Sequence, residues 1–478
     1  MTVERIEHWA RRQPDHRALI YDNTPVTYRE FASTIDRTRS FLAGQGLAGS
    51  VAPVLAANLL HGWVLVMAAR SLGLTTVAVS TLEAVEALKL RDIAGVLAPE
   101  GHRLPDRSDA APRGVRQVRV PIGNASAEPA AAAPARVWGD HILYTSGTTG
   151  GYKKVLVEGA LEARRNEARA ELSQFSPSSV FHALDFGLWT GIGFKSPSAV
   201  WRAGGCVVID QTDQRFARFF NHGVTYCQTL PETLRALVSA HPQREATDGL
   251  LLRVGGGFTP LSLAQEAVRR LSRRLVIGFS ATELTAQIMA SEFHTADDLN
   301  WMTPHPGRVV QVVDEDGAKL PPGVDGLLRI QLDELDSRAY LDDPEATARV
   351  FRGGFFYPGD LAVAREDGRV RILGRAADVI NIRGQKLAVA PMEEKLQQGL
   401  GVDEVALFSG LGADGVEELV VAVRSTTPIE RAEVERRLGG SAIFDKVRVE
   451  VFADFPRTEN GKTRRLELRR MLFADGPR

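Results

Sequence analysis

The run Tyr144-Thr145-Ser146-Gly147-Thr148-Thr149-Gly150-Gly151-Tyr152-Lys153-Lys154-Val155 follows an apolar, strand-like pair, Ile142-Leu143. It combines three glycines, four Ser/Thr hydroxyls and a trailing lysine pair. Glycines let backbone N–H groups approach an anion closely, hydroxyls add donors, and lysine supplies charge for phosphate. A polar turn also uses Gly, Ser and Thr, but a continuous block of them from Thr145 to Gly151 ahead of two lysines points to phosphate. The G-x-x-x-x-G-K-[ST] spacing of a Walker-A loop is absent.

On either side of this run, apolar segments alternate with helical patterns from Val51 to Leu97 and again from Val137 to about Val313, the pattern of βα units. The first 50 residues read as helix, hairpin, helix, with a turn at Asp22-Asn23-Thr24-Pro25. Thr27 with Glu30 three residues on has capping-box spacing for the second helix. Residues 125–134 (ASAEPAAAAP) read as a surface loop or linker. Between Asp314 and Gly368 turn signals become dense, which predicts short strands in a β-rich subdomain. The last hundred residues read as a small α+β unit, with strands near Val405–Leu407 and Leu419–Val423 and a helix near Ile429–Leu438.

Composition narrows the function classes. The 478 residues suffice for about three domains of ordinary size. With 58 Lys+Arg against 59 Asp+Glu, the chain is neither a globally basic nucleic-acid binder nor an acidic disordered one. Two cysteines, Cys206 and Cys227, exclude a disulfide scaffold and favour a reducing compartment. The start, Met1 to Glu7, lacks a basic-then-apolar signal pattern. The most apolar stretch, Val51 to Leu72, is broken by Asn58, His61 and Arg70, and reads as a buried core helix rather than a membrane span. The expectation is a cytoplasmic enzyme with no nucleic-acid partner and no membrane span. Arg269, Arg270, Arg273 and Arg274 read as a solvated face, and His182, His222, His294 and His305 lack metal-ligand spacing with the cysteines.

Residues 145–150 resemble the phosphate loop of the adenylate-forming superfamily, which includes acyl-CoA synthetases, nonribosomal peptide adenylation domains and luciferases. The resemblance assigns Thr145, Ser146, Gly147, Thr148, Thr149, Gly150 and Lys153 to ATP. The family pattern continues Pro-Lys-Gly, so Tyr152 and Lys154 are departures. Gly255-Gly256-Gly257 resembles the strand end that packs beside adenine. Phe279-Ser280-Ala281-Thr282-Glu283 resembles the family's aromatic-Gly-x-Thr-Glu segment, with Ser280 where glycine is usual. There the resemblance makes Thr282 a partner of the α-phosphate and Glu283 the ligand of Mg²⁺, a hard cation that takes carboxylate oxygen and retains waters. Read alone, the Ser-Ala-Thr-Glu run is a helix N-cap pattern.

Two later segments complete the set. In Tyr357-Pro358-Gly359-Asp360-Leu361, Asp360 resembles the aspartate that accepts both ribose hydroxyls, a task for a two-oxygen acceptor. In Gly374-Arg375-Ala376-Ala377-Asp378, Arg375 resembles the arginine that contacts the nucleotide, and Ala377 occupies the hinge, where Asp or Lys is common. Alone, both are ordinary turn chemistry. Phe455-Pro456-Arg457-Thr458-Glu459-Asn460-Gly461-Lys462 resembles the C-terminal loop whose lysine bridges ATP phosphate and substrate carboxylate. Two anions must meet before an acyl–phosphate anhydride forms, and a positioned ammonium offsets that repulsion most in the transition state. A solvated basic tail is the plainer reading, since Arg464, Arg465, Arg469 and Arg470 follow, but the Asn460-Gly461 turn sets Lys462 at a loop tip.

Further similar segments, Thr27–Glu30, Tyr340–Thr347 and Gly384–Glu394, extend the resemblance over roughly residues 5–470, with Thr75–Asp140 shortened. It implies an α/β fold: residues 1–375 as a large domain of βα-layered sheets with a β-rich subdomain near 314–374, and residues 376–478 as a mobile α+β domain carrying Lys462. It implies catalysis by Lys462, Thr282 and Glu283, with ATP and Mg²⁺, and acyl transfer from acyl-AMP to a thiol. In Leu184-Asp185-Phe186-Gly187-Leu188-Trp189, the residues Asp185, Leu188 and Trp189 fall where the family builds its acyl pocket. Leu184-Asp185 followed by Trp189 resembles amino-acid adenylation domains, where the aspartate binds the α-ammonium. Pro391-Met392-Glu393-Glu394, Ile380-Asn381 and Phe356 to Asp360 look more like acyl-CoA ligases. The favoured expectation is an acyl- or aryl-CoA ligase. The alternative is an amino-acid or carrier-protein-loading enzyme that uses a phosphopantetheine thiol, and a degenerate nucleotide-binding protein is the third.

Overall fold

The computed structural model describes residues 1–101, 115–122, 136–146, 152–184, 186–257, 259–376, 379–382, 385–411, 417–438, 447–457, 463 and 465–472. The stretch from Ala125 to Pro134, expected to be a linker, lies outside them. The chain divides into two compact units, one of Met1–Val254, Glu266–Ile288 and Leu332–Phe351, the other of Gly255–Gln265, Met289–Gln331 and Arg352–Arg478.

In the first unit the opening residues form helix Thr2–Arg12, strands Arg17–Tyr21 and Thr24–Thr27, and helix Tyr28–Ala43. The connecting residues Asp22 and Asn23 have φ of 45° and 75°, the left-handed pair that a two-residue hairpin requires and that Asp and Asn tolerate. Thr27 caps the following helix as expected: its hydroxyl accepts from the Glu30 N–H at 3.2 Å, and the Glu30 carboxylate accepts from the Thr27 N–H at 2.8 Å.

Two sheets form the layers of this unit. One runs in the order Gln117–Val120, Val96–Pro99, Val51–Leu55, Thr75–Val79, His141–Ser146, Tyr152–Val157. It is parallel up to the antiparallel pairing of its last two strands. Within this unit the other runs Ser272–Phe279, Thr247–Gly255, Tyr226–Thr229, Val180–His182, Cys206–Ile209, Arg17–Tyr21, Thr24–Thr27. Parallel strands buried on both faces read as continuous apolar runs; Cys206–Ile209 is buried throughout, and both cysteines are free thiols.

One expectation needs correction. The apolar stretch from Val51 is not a single helix: Val51–Leu55 is a strand and Leu59–Arg70 the helix, with the Asn58 side chain accepting from the His61 N–H at 2.9 Å. A stretch apolar on every face carries no periodicity to separate strand from helix, and the break lies at the polar cap. No helix among the described residues is long and apolar enough to cross a membrane. The charge inside the stretch has a partner: the Arg70 guanidinium lies 2.5 Å from the Glu162 carboxylate, with both side chains almost wholly buried.

In the second unit the turn-rich stretch forms a sheet in the order Phe351–Arg352, Phe355–Phe356, Gly326–Gln331, Asp360–Ala364, Val370–Arg375, with Val310–Val313 also paired to Gly326–Gln331. Nearer the C-terminus, strands Glu404–Leu411, Glu417–Arg424 and Val447–Phe452 form a three-stranded sheet. Helices Val389–Leu400 and Arg431–Leu438 pack on it through Leu396, Leu407, Val421 and Val434. The α/β class, with large N-terminal sheets and a smaller C-terminal α+β portion, is as the sequence predicts.

Candidate active site

The two ends of the glycine-rich run lie on paired strands. Strands His141–Ser146 and Tyr152–Val157 pair antiparallel, with Thr145 opposite Lys153 and Ser146 opposite Tyr152. Gly147, Thr148, Thr149, Gly150 and Gly151, which join them, lie outside the described residues. Alternation along a strand sends the two lysines to opposite faces. The Lys153 ammonium lies 5.2 Å from the centre of the Tyr340 ring, within cation–π range. Lys154 is buried and pairs with the Asp342 carboxylate at 3.1 Å. The second lysine, a departure from the family pattern, therefore has a structural partner of its own.

Tyr340 carries this line onward. Its hydroxyl donates to a Glu283 carboxylate oxygen at 2.5 Å, and both side chains are buried. Glu283 and Thr282 follow strand Ser272–Phe279 and Ser280 in an irregular turn, and no helix starts there, so the N-cap reading of Ser-Ala-Thr-Glu fails. Without helix hydrogen bonds, the backbone of this turn needs other partners. The Ser337 N–H donates to the Glu283 carbonyl at 2.9 Å. Asp336 accepts from the Thr285 N–H at 2.8 Å, and Arg169 donates to the Thr285 carbonyl. The Lys195 ammonium donates to the carbonyls of Thr282 at 2.6 Å and Leu284 at 3.0 Å. Helix Gly191–Ala203 starts against Thr282: a Cβ on Gly191 would make van der Waals contact with the Thr282 hydroxyl at 3.4 Å.

The expected acyl-pocket wall lies just ahead of this helix. Leu188 is buried, and its carbonyl lies 3.1 Å from His141 Nε2. Burial, and then the nearby Arg70 charge, pull the His141 imidazole down to about 3. His141 is therefore a neutral core group, stacked on Phe194 with ring centres 4.0 Å apart. Trp189 packs against the apolar cluster that includes Tyr144, and its carbonyl accepts from the Tyr144 N–H at 3.3 Å. Gly187 makes room for that indole, since a Cβ would come within 2.3 Å of it. Leu184 is buried with φ of 45°, an uncommon conformation for a branched residue. Asp185 lies outside the described residues.

Of the remaining expected residues, Gly255 ends strand Thr247–Gly255, Gly256 has φ of 78°, and Phe279 ends strand Ser272–Phe279. Asp360 and Arg375 face each other across an antiparallel pair of strands. The Arg375 Nε lies 3.2 Å from an Asp360 carboxylate oxygen, and its Nη1 donates to the Pro358 carbonyl at 2.7 Å. Asp360 is buried and Arg375 half-exposed, so the aspartate is held in place by a residue that itself reaches solvent. Ala377 and Lys462 lie outside the described residues. In the arginine patch, Arg269 and Arg270 pair with Glu266, and Arg273 pairs with Asp248, in line with a solvated face.

Sequence reasoning missed two residues of this site. Tyr340 stood in a segment noted only as similar to the family, and its signal was a single buried aromatic hydroxyl that needs an acceptor. Lys195 is one lysine in the otherwise uncharged run Gly191–Trp201, and only that charge among apolar neighbours marked it.

A family model described as AMP-binding enzyme matches residues 6–334. The chain is 27% identical over 369 residues to a 3-hydroxybenzoate–CoA ligase of Aromatoleum sp. (strain CIB), covering 73% of this chain and 68% of that protein. It is 28% identical over 349 residues to the probable non-canonical nonribosomal peptide synthetase CymA of Salinispora arenicola (strain CNS-205), covering 68% of this chain but 4% of that protein. The ATP-bound structure of MatB from Rhodopseudomonas palustris superposes with a TM-score of 0.82 at 21% identity over 99% of both chains, which establishes the fold. With its family model spanning more than half of its length, the chain belongs to the AMP-binding enzymes of the adenylate-forming superfamily.

Proposed function

We propose that the chain joins a carboxylic acid to ATP, forming acyl-AMP and pyrophosphate, and then passes the acyl group to the thiol of CoA. The observation that carries this reading is the continuous line Lys153–Tyr340–Glu283, which connects the glycine-rich run to a buried carboxylate. An ammonium beside a phosphate loop and a carboxylate fixed by one oxygen are what a nucleotide triphosphate with a divalent ion requires. Among the described residues no three His, Cys, Asp or Glu side chains gather as a metal cage. That fits Mg²⁺, which binds through one or two carboxylates plus phosphate oxygens and water. In this reading Glu283 would hold the ion, which supplies positive charge to the phosphates.

The protein's own residues supply the rest. Thr145, Ser146, Gly147, Thr148, Thr149, Gly150 and Lys153 take the ATP phosphates, and Thr282 takes the α-phosphate. Gly255, Gly256, Gly257, Phe279 and Ser280 take the adenine side, and Asp360 with Arg375 takes the ribose. Residues 376–478 form the mobile domain, hinged at Ala377, that brings in Lys462 for the first half-reaction and removes it for the second. The similarity to a 3-hydroxybenzoate–CoA ligase supports an aromatic or other acyl acid with CoA. Pyrophosphate release measured across fatty, aromatic and amino acids, with and without CoA, tests the reading. Release with an acyl or aryl acid and thioester only with CoA are expected, and no release with any acid would refute it.

Asp360→Ala is expected to weaken ATP binding by about 1.5–3 kcal/mol, as for hydrogen bonds to a charged group, and to leave the fold intact. ATP titration by calorimetry reads this directly; an unchanged affinity would make Asp360 only a strand-edge residue facing Arg375.

The similarity to CymA and the run Leu184-Asp185 to Trp189 favour a second reading, loading of an amino acid onto a carrier-protein thiol. Asp185 separates the two. A buried α-ammonium would lose its counter-charge in Asp185→Ala, abolishing amino-acid activation while sparing ATP binding. With an apolar acid the same change should cost little, because an unpaired carboxylate facing an apolar tail is itself unfavourable. The wild type is expected to prefer the deaminated acid to its parent amino acid. A wild-type preference for the amino acid, lost in Asp185→Ala, would establish the second reading.

A further inference from the structure

We infer that Lys195 is a positioning residue for the turn that carries Thr282 and Glu283, and that it acts on the metal–nucleotide complex rather than on bare nucleotide. The inference rests on the reading of Glu283 as the metal-holding carboxylate. Its basis is geometric. An ammonium has three donors and no acceptor. Lys195 gives one hydrogen bond to the Thr282 carbonyl at 2.6 Å and one to the Leu284 carbonyl at 3.0 Å. These two carbonyls bracket Glu283. The Thr282 carbonyl belongs to the peptide that enters Glu283, and the Leu284 carbonyl to the peptide one residue beyond it, while the Ser337 N–H holds the Glu283 carbonyl between them at 2.9 Å. By clamping the turn on either side, Lys195 constrains where the Glu283 carboxylate can point.

The surroundings show that the lysine is not a surface charge resting on a loop. It sits in the second turn of helix Gly191–Ala203, whose first residue, Gly191, lies beside Thr282. Phe194 beside it is buried. The next element packed on this helix, Gly159–Leu172, brings Arg165 and Arg169, both buried. Enclosure, and then these two guanidinium groups, pull the Lys195 ammonium down to about 7, against the opposing pull of Glu283 and Asp336. A cation kept next to two other cations is costly unless its contacts require it or an anion joins them. Arg165 and Arg169 also donate to backbone carbonyls, of Leu335 at 2.7 Å and of Thr285. Lys195 and Arg169 thus hold the backbone of the turn that carries Glu283, and Arg165 holds the Leu335 carbonyl of the segment packed on it.

The Glu283 side chain is held independently by the Tyr340 hydroxyl on one oxygen. Tyr340 fixes the tip and Lys195 the root. Loss of the root should leave the carboxylate present but misdirected, which penalises a bound divalent ion more than the nucleotide itself.

The test uses the full chain and Mn²⁺ as the probe. Mn²⁺–ATP binding is followed by electron paramagnetic resonance, and metal-free ATP binding by calorimetry, in wild type, Lys195→Met and Glu283→Gln. Lys195→Met keeps the length of the stem and removes every donor. It is expected to weaken Mn²⁺–ATP binding about 10–100-fold, the usual range for losing a partner that orients a metal ligand, with metal-free ATP binding unchanged. If Lys195→Met does not fold by circular dichroism, Lys195→Leu, which also removes every donor, replaces it, with the same expectation. Equal losses for Mn²⁺–ATP and metal-free ATP, or no loss for either, would overturn the role of Lys195. If Glu283→Gln itself leaves Mn²⁺–ATP binding unchanged, the metal role of Glu283 fails instead, and the two failures are distinguished.

Discussion

Lys462→Ala is expected to slow acyl-AMP formation by ~10²–10³-fold, the usual cost of removing a donor that meets developing charge, and to spare thioester formation from preformed acyl-AMP. The reason is where charge accumulates. In the first half-reaction a carboxylate approaches the α-phosphate, and an ammonium between them lowers the barrier most where the two anions are closest. In the second, pyrophosphate has left and a thiol attacks the acyl carbonyl, so a carboxylate no longer has to be brought against the phosphate and the same ammonium has less to do. Pyrophosphate release in a single turnover measures the first step, and thioester formation from synthetic acyl-AMP the second. Equal losses in both would remove Lys462 from the adenylation step.

The second large effect concerns stability. Arg70 and Glu162 form a buried pair, 2.5 Å apart, on the apolar helix Leu59–Arg70 and the helix Gly159–Leu172. Glu162 also accepts from the Thr2 N–H at 2.9 Å and the Thr2 hydroxyl at 2.6 Å, and Arg70 donates to the carbonyls of Gly139 and Asp140. Glu162→Gln would leave a buried guanidinium without its counter-charge, and is expected to cost about 3–5 kcal/mol of stability. Replacing both partners, as Arg70→Met with Glu162→Leu, should cost much less than either single change, since no charge is left unpaired. Urea denaturation of Glu162→Gln, of each single change and of the double variant measures this.

The same pair predicts a pH dependence. Burial alone would raise the Glu162 carboxyl, but the Arg70 charge and the hydrogen bonds from Thr2 outweigh it and hold the carboxyl below its ordinary value of 4.5. A carboxyl held lower in the folded than in the unfolded chain contributes stability that is fully present above the unfolded value. That contribution is lost as pH falls through the lower folded value. The wild type should therefore lose stability below about pH 4.5 more steeply than the double variant.

Much of the architecture was legible because it is local. The Thr27–Glu30 capping box and the Asp22-Asn23 turn depend on a few neighbouring residues, and both form as read. The alternation of apolar runs gave the layered α/β class. It failed within Val51–Leu72 because a run buried on all faces has no period, and only Asn58 marked the helix start. The candidate site was legible where chemistry concentrates in short runs: Thr145–Lys153, Thr282-Glu283, Asp360 and Arg375. Its supports were not. Tyr340 reaches Glu283, Lys195 reaches Thr282 and Leu284, and Arg70 reaches Glu162, each across the fold between residues distant in the chain. Such partners obey no spacing rule, so one sequence does not reveal them. Asp342 as partner of Lys154 belongs with them and gives the second of the two lysines after the glycine-rich run a structural role.

The most direct measurement follows oxygen. A substrate acid labelled with ¹⁸O in its carboxylate is incubated with ATP, Mg²⁺ and CoA, and the nucleotide product is analysed by mass spectrometry. Attack of the carboxylate on the α-phosphorus places one carboxylate oxygen in the acyl–phosphate bridge, and the thiol then displaces AMP carrying that oxygen. Adenylation therefore predicts AMP bearing one ¹⁸O, with unlabelled pyrophosphate. Thioester formed with ADP and ¹⁸O-labelled inorganic phosphate, or with unlabelled AMP, would contradict it.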